Sequence, residues 1–209
     1  MGQTERMIFL LGELRREMNG AVADAMRYYG SRYGLNYGVS LPTIRSIAAK
    51  EPQDNDLALY LFKQDVRELR LAALHIAEPS KFEDSAEEWR NGITTSEIAE
   101  EMAFALLRHV ESIEQLYHDW SQSGDELATY AVIMAATRSR IASECATLDP
   151  LPAIVARHPH SRLIAQAAVA LLSTAMQTLP TGKIKTLIEE LPPCKATDYI
   201  NEEMAWRME

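Results

Sequence analysis

Three glutamates crowd one short run of the sequence, Glu97, Glu100 and Glu101 in Thr-Thr-Ser-Glu-Ile-Ala-Glu-Glu. Carboxylates that share a neighbourhood push one another's pKa upward, as catalytic acid pairs do, whereas glutamates on a solvated helix face keep ordinary values; both readings stand for this run. Cations are the second resource. Arg27, Arg32, Arg45 and Lys50 fall within the first 50 residues and Arg138 and Arg140 form a second small group; such side chains contact phosphate oxygens or pair with acidic neighbours. Between Tyr28 and Gly38 the chain packs four tyrosines (Tyr28, Tyr29, Tyr33, Tyr37) and three glycines (Gly30, Gly34, Gly38). Those rings can stack on nucleobases, or they can pack at a helix crossing with their hydroxyls at the surface.

Other chemistries lack their residues. No His-Glu-x-x-His, P-loop, Gly-x-Gly-x-x-Gly or Gly-x-Ser-x-Gly pattern occurs. His158 and His160 flank Pro159, where capping or exposure accounts for them better than metal binding, and His75, His109 and His118 fall on separate predicted helices. The two cysteines, Cys145 and Cys194, are 49 residues apart, form no metal or redox motif and read as free cytosolic thiols. No metal and no cofactor is expected.

Charge narrows the partners. The formal net charge is −9, yet residues 1–50 carry seven Lys/Arg against four Asp/Glu, and residues 83–126 hold twelve acidic groups with Arg90 and Arg108 as their only Lys/Arg bases. A DNA clamp needs Lys and Arg against the phosphates, so the start of the chain suits DNA and the acidic middle opposes it; the acidity also serves solubility. No 18-residue apolar run exists, so no transmembrane helix and no membrane partner are expected. The apolar run Met7–Leu11 is too short for a signal peptide and reads as part of the first helix, which gives a cytoplasmic expectation.

The elements that must position these residues are all helical. Apolar residues recur at helical spacing in eleven or twelve segments joined by short turns, with no strand pattern. Pro42 suits the first turn of a helix whose apolar face is Leu41, Ile44, Ile47 and Ala48. Asp65 with Glu68 predicts a cap for a helix buried through Val66, Leu69, Ala73 and Ile76, and Thr94 with Glu97, Ser112 with Gln115 and Ser123 with Glu126 predict three further helix starts. From Pro159 to about Leu179 the pattern is apolar almost all round, so that helix should be buried on several sides.

Gly-Val-x-x-Pro-x-x-Arg at Gly38, Val39, Pro42 and Arg45, Leu-Ala-x-x-Leu-Phe at Leu57–Phe62, and Arg-Glu-x-Arg at Arg67, Glu68 and Arg70 resemble the DNA alkylation repair family, the HEAT-like-repeat DNA glycosylases, over residues 20–80. The resemblance implies a curved α-solenoid that removes alkylated bases from DNA without a flipping pocket. It implies catalysis by a carboxylate, tryptophans and an arginine, with the carboxylate stabilising positive charge as the glycosidic bond breaks. The family's Trp-Asp-x-x-Asp segment aligns with Ser96-Glu97-Ile98-Ala99-Glu100, which makes Glu100 and Glu97 the catalytic candidates. Its arginine falls near Ala128 or Thr129 and its later tryptophan near Ala170, so three of the four roles have no matching side chain.

Paired amphipathic helices with a spacing of about 40 residues suit such a solenoid, and a compact bundle is the alternative. The expectation is therefore an all-α, HEAT-like-repeat protein forming a single domain over residues 1–209. Its expected function is binding of DNA or a repair-related ligand, with base excision reduced or lost. The alternative is a non-catalytic scaffold for a basic protein or peptide.

Overall fold

The computed structural model describes residues 2–30 and 33–208. Among them the chain is all helical: α1 (Gln3–Arg16), α2 (Gly20–Tyr28), α3 (Leu41–Ala48), α4 (Asn55–Phe62), α5 (Arg67–Ile76), α6 (Ala86–Asn91), α7 (Ser96–Ala105), α8 (Ile113–Gln122), α9 (Glu126–Ala136), α10 (Cys145–Leu148), α11 (Leu151–Arg157), α12 (Arg162–Ala175), α13 (Thr181–Glu189) and α14 (Lys195–Ala205). Short 3₁₀ turns link several of them. The only departure among the described residues is one isolated parallel bridge, Leu35 to Val66. The helices fall into two compact units, one ending at Leu106 and one beginning at Leu107.

In the first unit α5 is the central element. It packs against α1, α3, α4 and α7, and every one of its residues except His75 is buried. Leu69, Leu71, Ala72, Ala73, Leu74 and Ile76 supply the apolar part of that burial, and Arg67, Glu68 and Arg70 are buried with them. Charged groups are hardly ever enclosed in this way unless each one is paired. The N-terminal third of α5 therefore dictates what the neighbouring loop must offer.

In the second unit α9 and α12 play the same part. α9 packs on α8 and α12, and α12 also meets α14 and α11. As its all-round apolar pattern predicts, α12 buries Ile164, Ala165, Ala167, Ala168, Val169, Leu171, Leu172 and Ala175.

Several helix starts differ from the expected caps. α5 is entered through Val66 with no side-chain cap, because Asp65 and Glu68 turn to the loop ahead of α3 instead. α7 is capped by Thr95, whose hydroxyl accepts from the Ile98 amide, and not by a Thr94–Glu97 box. Asp125, rather than Ser123, caps α9 through the amides of Leu127 and Ala128. Local spacing licenses a cap. It does not reserve the side chain for one when a buried cation competes for it.

The glycine-rich crossing follows the expected logic at two positions. Gly38 has φ +68°, and a Cβ built there would lie 2.2 Å from the Asn19 carbonyl oxygen. Gly34 runs so close to α5 that a Cβ would lie 2.0 Å from Asp65 Oδ2. A Gly38→Ala substitution is expected to cost more than about 1 kcal/mol, the left-handed penalty before any clash. Gly12→Ala, on the exposed face of α1 with nothing within 4 Å of the new methyl, is expected to add roughly 0.5–1 kcal/mol. Urea unfolding midpoints of the two variants should therefore move in opposite directions.

Candidate functional site

The residues with chemical potential in the first unit are organised by two buried charge clusters on α5. At its N-terminal end the Arg67 guanidinium makes four contacts: Nε to Glu97 Oε2 at 2.8 Å, Nη2 to Glu97 Oε1 at 2.5 Å, and Nη1 to the Val39 carbonyl at 2.9 Å and to Glu68 Oε1 at 3.0 Å. Glu68, fully buried, accepts from the amides of Tyr37 and Val39. Asp65 accepts from the Gly34 amide through its side chain and from the Leu35 amide through its carbonyl, and the Arg67 amide donates to the Leu35 carbonyl. Tyr33 donates to Glu97 Oε2 at 2.6 Å, with Thr95 Oγ1 2.8 Å from the same hydroxyl. Burial and the bond to Glu97 push the Tyr33 phenol well above its ordinary range, so it stays a donor.

At the other end of α5, Glu101 from α7 is almost wholly enclosed. Arg45 Nε and Nη2 reach its two oxygens at 2.8 and 2.6 Å, and His75 Nε2 donates to Oε1 at 2.5 Å. Burial works to raise the Glu101 pKa, but the hydrogen bonds and charges of His75 and Arg45 outweigh it and hold the carboxyl at about 2. Arg70 completes the set. Its guanidinium lies 5.1 Å from the Phe62 ring centre and donates to Thr94 Oγ1 and to the Gly92 carbonyl, and burial lowers its pKa.

This arrangement decides where the expected site residues go. Glu97 is held by Arg67 and Tyr33. Glu100 points to solvent on α7 with no hydrogen-bond or ion-pair partner among the described residues. Arg45 takes the acidic-neighbour alternative through Glu101, although its side chain keeps 47% exposure. Lys50, exposed, meets Glu13 at 3.6 Å, and Arg16 pairs with the same carboxylate. Together these line an open groove of about 410 Å³ between α1 and α3 with Pro42, Thr43 and Ser46. Arg27 is exposed beside Asp24 on its own helix. Arg32 lies outside the described residues. In the second unit Arg138 and Arg140 are exposed at the end of α9, and Arg140 pairs with Glu114 and bonds the Glu111 carbonyl.

Sequence reasoning passed over Glu101 as a paired group, and His75 and Arg67 as site residues. The available signal was the Arg-Glu-x-Arg run inside an otherwise apolar helix, which demands buried partners. The positions aligned with the family's arginine are closed to that role. Ala128 and Thr129 are fully buried in α9, and Thr129 is bonded to the Trp120 carbonyl. Trp89 and Trp120 are core residues, the former against Phe62, so neither can cradle a base.

The DNA alkylation repair enzyme family model matches residues 10–172, which takes in both charge clusters and most of each unit. The chain belongs to the DNA alkylation repair family. A solved structure described as a new family of proteins related to the HEAT-like repeat DNA glycosylases, with affinity for branched DNA structures, matches with a TM-score of 0.73 and 16% sequence identity, covering 96% of this chain and 94% of its own. The all-helical HEAT-like-repeat fold is thereby established. A comparison with curated proteins gives no match. Within the family frame, the Arg-Glu-x-Arg motif of this chain serves architecture: Arg67 and Glu68 fix the crossing, and Arg70 fixes the start of α7.

Two outcomes follow from the charge clusters. Arg67→Met, which strands the buried Glu68 carboxylate, is expected to destabilise the protein by about 3–5 kcal/mol in urea unfolding. Glu101 has a folded pKa of about 2 against 4.5 for the free side chain, so its stabilising effect is complete above about pH 5 and is lost as pH falls through 2. The stability gap between wild type and Glu101→Gln should narrow by on the order of 3 kcal/mol between pH 6 and pH 2.

Proposed function

We propose that the protein binds DNA, branched DNA in particular, and that it has given up base excision by the family's carboxylate, tryptophan and arginine mechanism. The observation that carries this reading is the fate of Glu97. One of the two carboxylates aligned with the family's catalytic segment is clamped by Arg67 and Tyr33 into a structural role. Glu100, the other, stands in solvent on a helix where the tryptophan position is Ser96. A lone exposed carboxylate has neither an aromatic wall to exclude water nor a cation to orient the leaving group, so it offers little differential stabilisation of an oxocarbenium-like state.

Binding has better support than catalysis. Arg16, Arg27 and Lys50 are exposed on α1, α2 and the end of α3, in the part of the chain that carries net positive charge. The matching solved structure belongs to proteins with affinity for branched DNA. The scaffold reading draws on the exposed Glu83, Asp84, Glu87 and Glu100, which would favour a basic protein or peptide. Salt dependence combined with nuclease treatment separates the two.

Fluorescence anisotropy with a four-way junction should give an affinity that falls with a log–log salt slope of about −3, as expected for three to four neutralised phosphates. Methylated duplex DNA incubated with the protein should release neither 3-methyladenine nor 7-methylguanine above background, with Glu100→Gln indistinguishable from wild type. Release that Glu100→Gln abolishes would restore the excision reading. A slope near zero, with partners captured equally before and after nuclease treatment, would favour the scaffold.

A further inference from the structure

The four tyrosines of the crossing divide into two pairs. Tyr33 is bonded through its hydroxyl to Glu97, and Tyr37 is half-buried with the Arg15 guanidinium 6.0 Å from its ring centre. Tyr28 and Tyr29 do neither: they are 84% and 83% exposed. Packing at the crossing therefore does not account for them. Two adjacent aromatic rings in water are a standing cost of apolar surface, and adjacent exposed rings of this kind mark a contact surface.

Their geometry specifies what fits. The rings stand edge to face, with centres 5.2 Å apart and planes at 85°. One ring thus keeps both faces open and the other keeps one, and the two form a corner. A flat aromatic group stacked on the first ring brings its edge toward the second. Such a corner takes a single unstacked ring, not a continuous column. Its backbone is set in advance: Tyr28 ends α2, Tyr29 caps it with its amide on the Ala25 carbonyl, and Gly30 follows at φ +91°.

Polar groups lie beside the corner. Tyr29 also walls a hollow of about 300 Å³ lined by Tyr33, Thr94, Ser96 and Glu97, at the small end of ligand-sized hollows. Thr94 and Ser96 give that lining polar side chains, and the Thr94 hydroxyl, which accepts from Arg70, keeps its own proton to donate. Arg27, immediately before the pair in sequence, has a side chain 77% exposed and gives the surface a cation for a phosphate. Ring faces, donor and acceptor edges and an adjacent cation match the three parts of a nucleotide.

We propose that Tyr28 and Tyr29 form a stacking corner for an unpaired nucleobase, so that the protein prefers DNA with unstacked bases to fully paired duplex. The proposal rests on the DNA-binding reading above. It adds the residues that contact bases and the feature of DNA that they select. A paired duplex buries its base faces in its own stack and cannot present one to the corner; a gap, a bulge or the open centre of a branch can.

The test compares wild type, Tyr28→Ala/Tyr29→Ala and Tyr28→Phe/Tyr29→Phe by anisotropy. The probes are a duplex with a four-base single-stranded gap and a fully paired duplex of the same length. Both side chains are exposed, so thermal melting should be unchanged across the three proteins. The alanine pair is expected to lose roughly 5- to 150-fold in affinity for gapped DNA, the range of one base–aromatic stack, and to bind paired duplex as wild type does. The phenylalanine pair should retain gapped-DNA affinity, because stacking uses the ring and not the hydroxyl. Equal losses on both probes, or no loss on either, would overturn the stacking corner while leaving DNA binding intact. Wild type that binds neither probe would overturn the DNA-binding reading itself and the corner with it. An alanine pair that keeps both DNA affinities but loses a captured protein partner would reassign the rings to a protein interface.

Discussion

The first unit depends on one constraint: Arg67 and Glu68 sit inside it, and neither can be left unpaired there. Desolvating an ion costs several kcal/mol, and the mutual attraction of a buried pair seldom returns more than that, so such a pair contributes little net stability. Its consequence is geometric. Among the described residues, the amides of Tyr37 and Val39 fill the remaining oxygen lone pairs of Glu68, and the Val39 carbonyl and Glu97 take the remaining protons of Arg67. The backbone at Tyr37 and Val39, just ahead of α3, is thus held in one place, and α7 is tied to the same cluster through Glu97. Gly34 and Gly38 allow the backbone to come close enough for those bonds to form.

That constraint also bears on function. Glu97 accepts two hydrogen bonds from a buried guanidinium and one from a phenol, and these hold its carboxylate in one place. Any reaction that needed it to move toward a developing cation would first have to break those bonds. Glu97 is consequently a positioning residue of the fold, and Glu101, held at about pKa 2 by His75 and Arg45 against the effect of its own burial, is another. Two of the three clustered glutamates that look like acid–base chemistry in the sequence are spent on holding α7 against α5 and α3.

Much of the helical architecture was legible because it follows from period and punctuation. The apolar stripe of α3, the proline in its first turn and the burial of α12 on several sides could each be read from residues within one helix. The capping assignments at Asp65–Glu68 and Thr94–Glu97 failed for a single reason. The spacing was right, but Arg67, buried between them, competes for both glutamates, and a charged buried donor outweighs an amide that water can serve. Arg45 and Glu101 are 56 residues apart and His75 and Glu101 are 26 apart. Separations of that kind have no local periodicity, so the second cluster was invisible as a cluster. The Arg-Glu-x-Arg run was visible, and its burial was implied by the leucines and alanines around it. The exposure of Tyr28 and Tyr29 was not, because a tyrosine at a helix end packs or projects according to neighbours that are distant in sequence.

Burying Arg67, Glu68, Arg70 and Glu101 removes two positive and two negative charges from the surface, so internal pairing leaves the balance of the exterior unchanged. What matters is where the remaining charges lie. Residues 1–50 carry a surplus of cations, and residues 83–126 carry twelve acids against two Lys/Arg bases. Within the first unit α1 to α3 therefore belong to the positive stretch and α6 and α7 to the negative one. At physiological salt, charges more than about 8 Å apart hardly feel each other, so each patch acts on its own partner and is not cancelled by the protein's net −9. For the proposed DNA ligand, the stretch with surplus cations, α1–α3, is the more favourable side and the acidic α6–α7 the less favourable one. The end of α2, with Arg27 and the two exposed rings, belongs to the attractive side. Net acidity is therefore compatible with the proposed nucleic-acid binding, because the surplus of cations and the surplus of acids occupy different stretches of the chain.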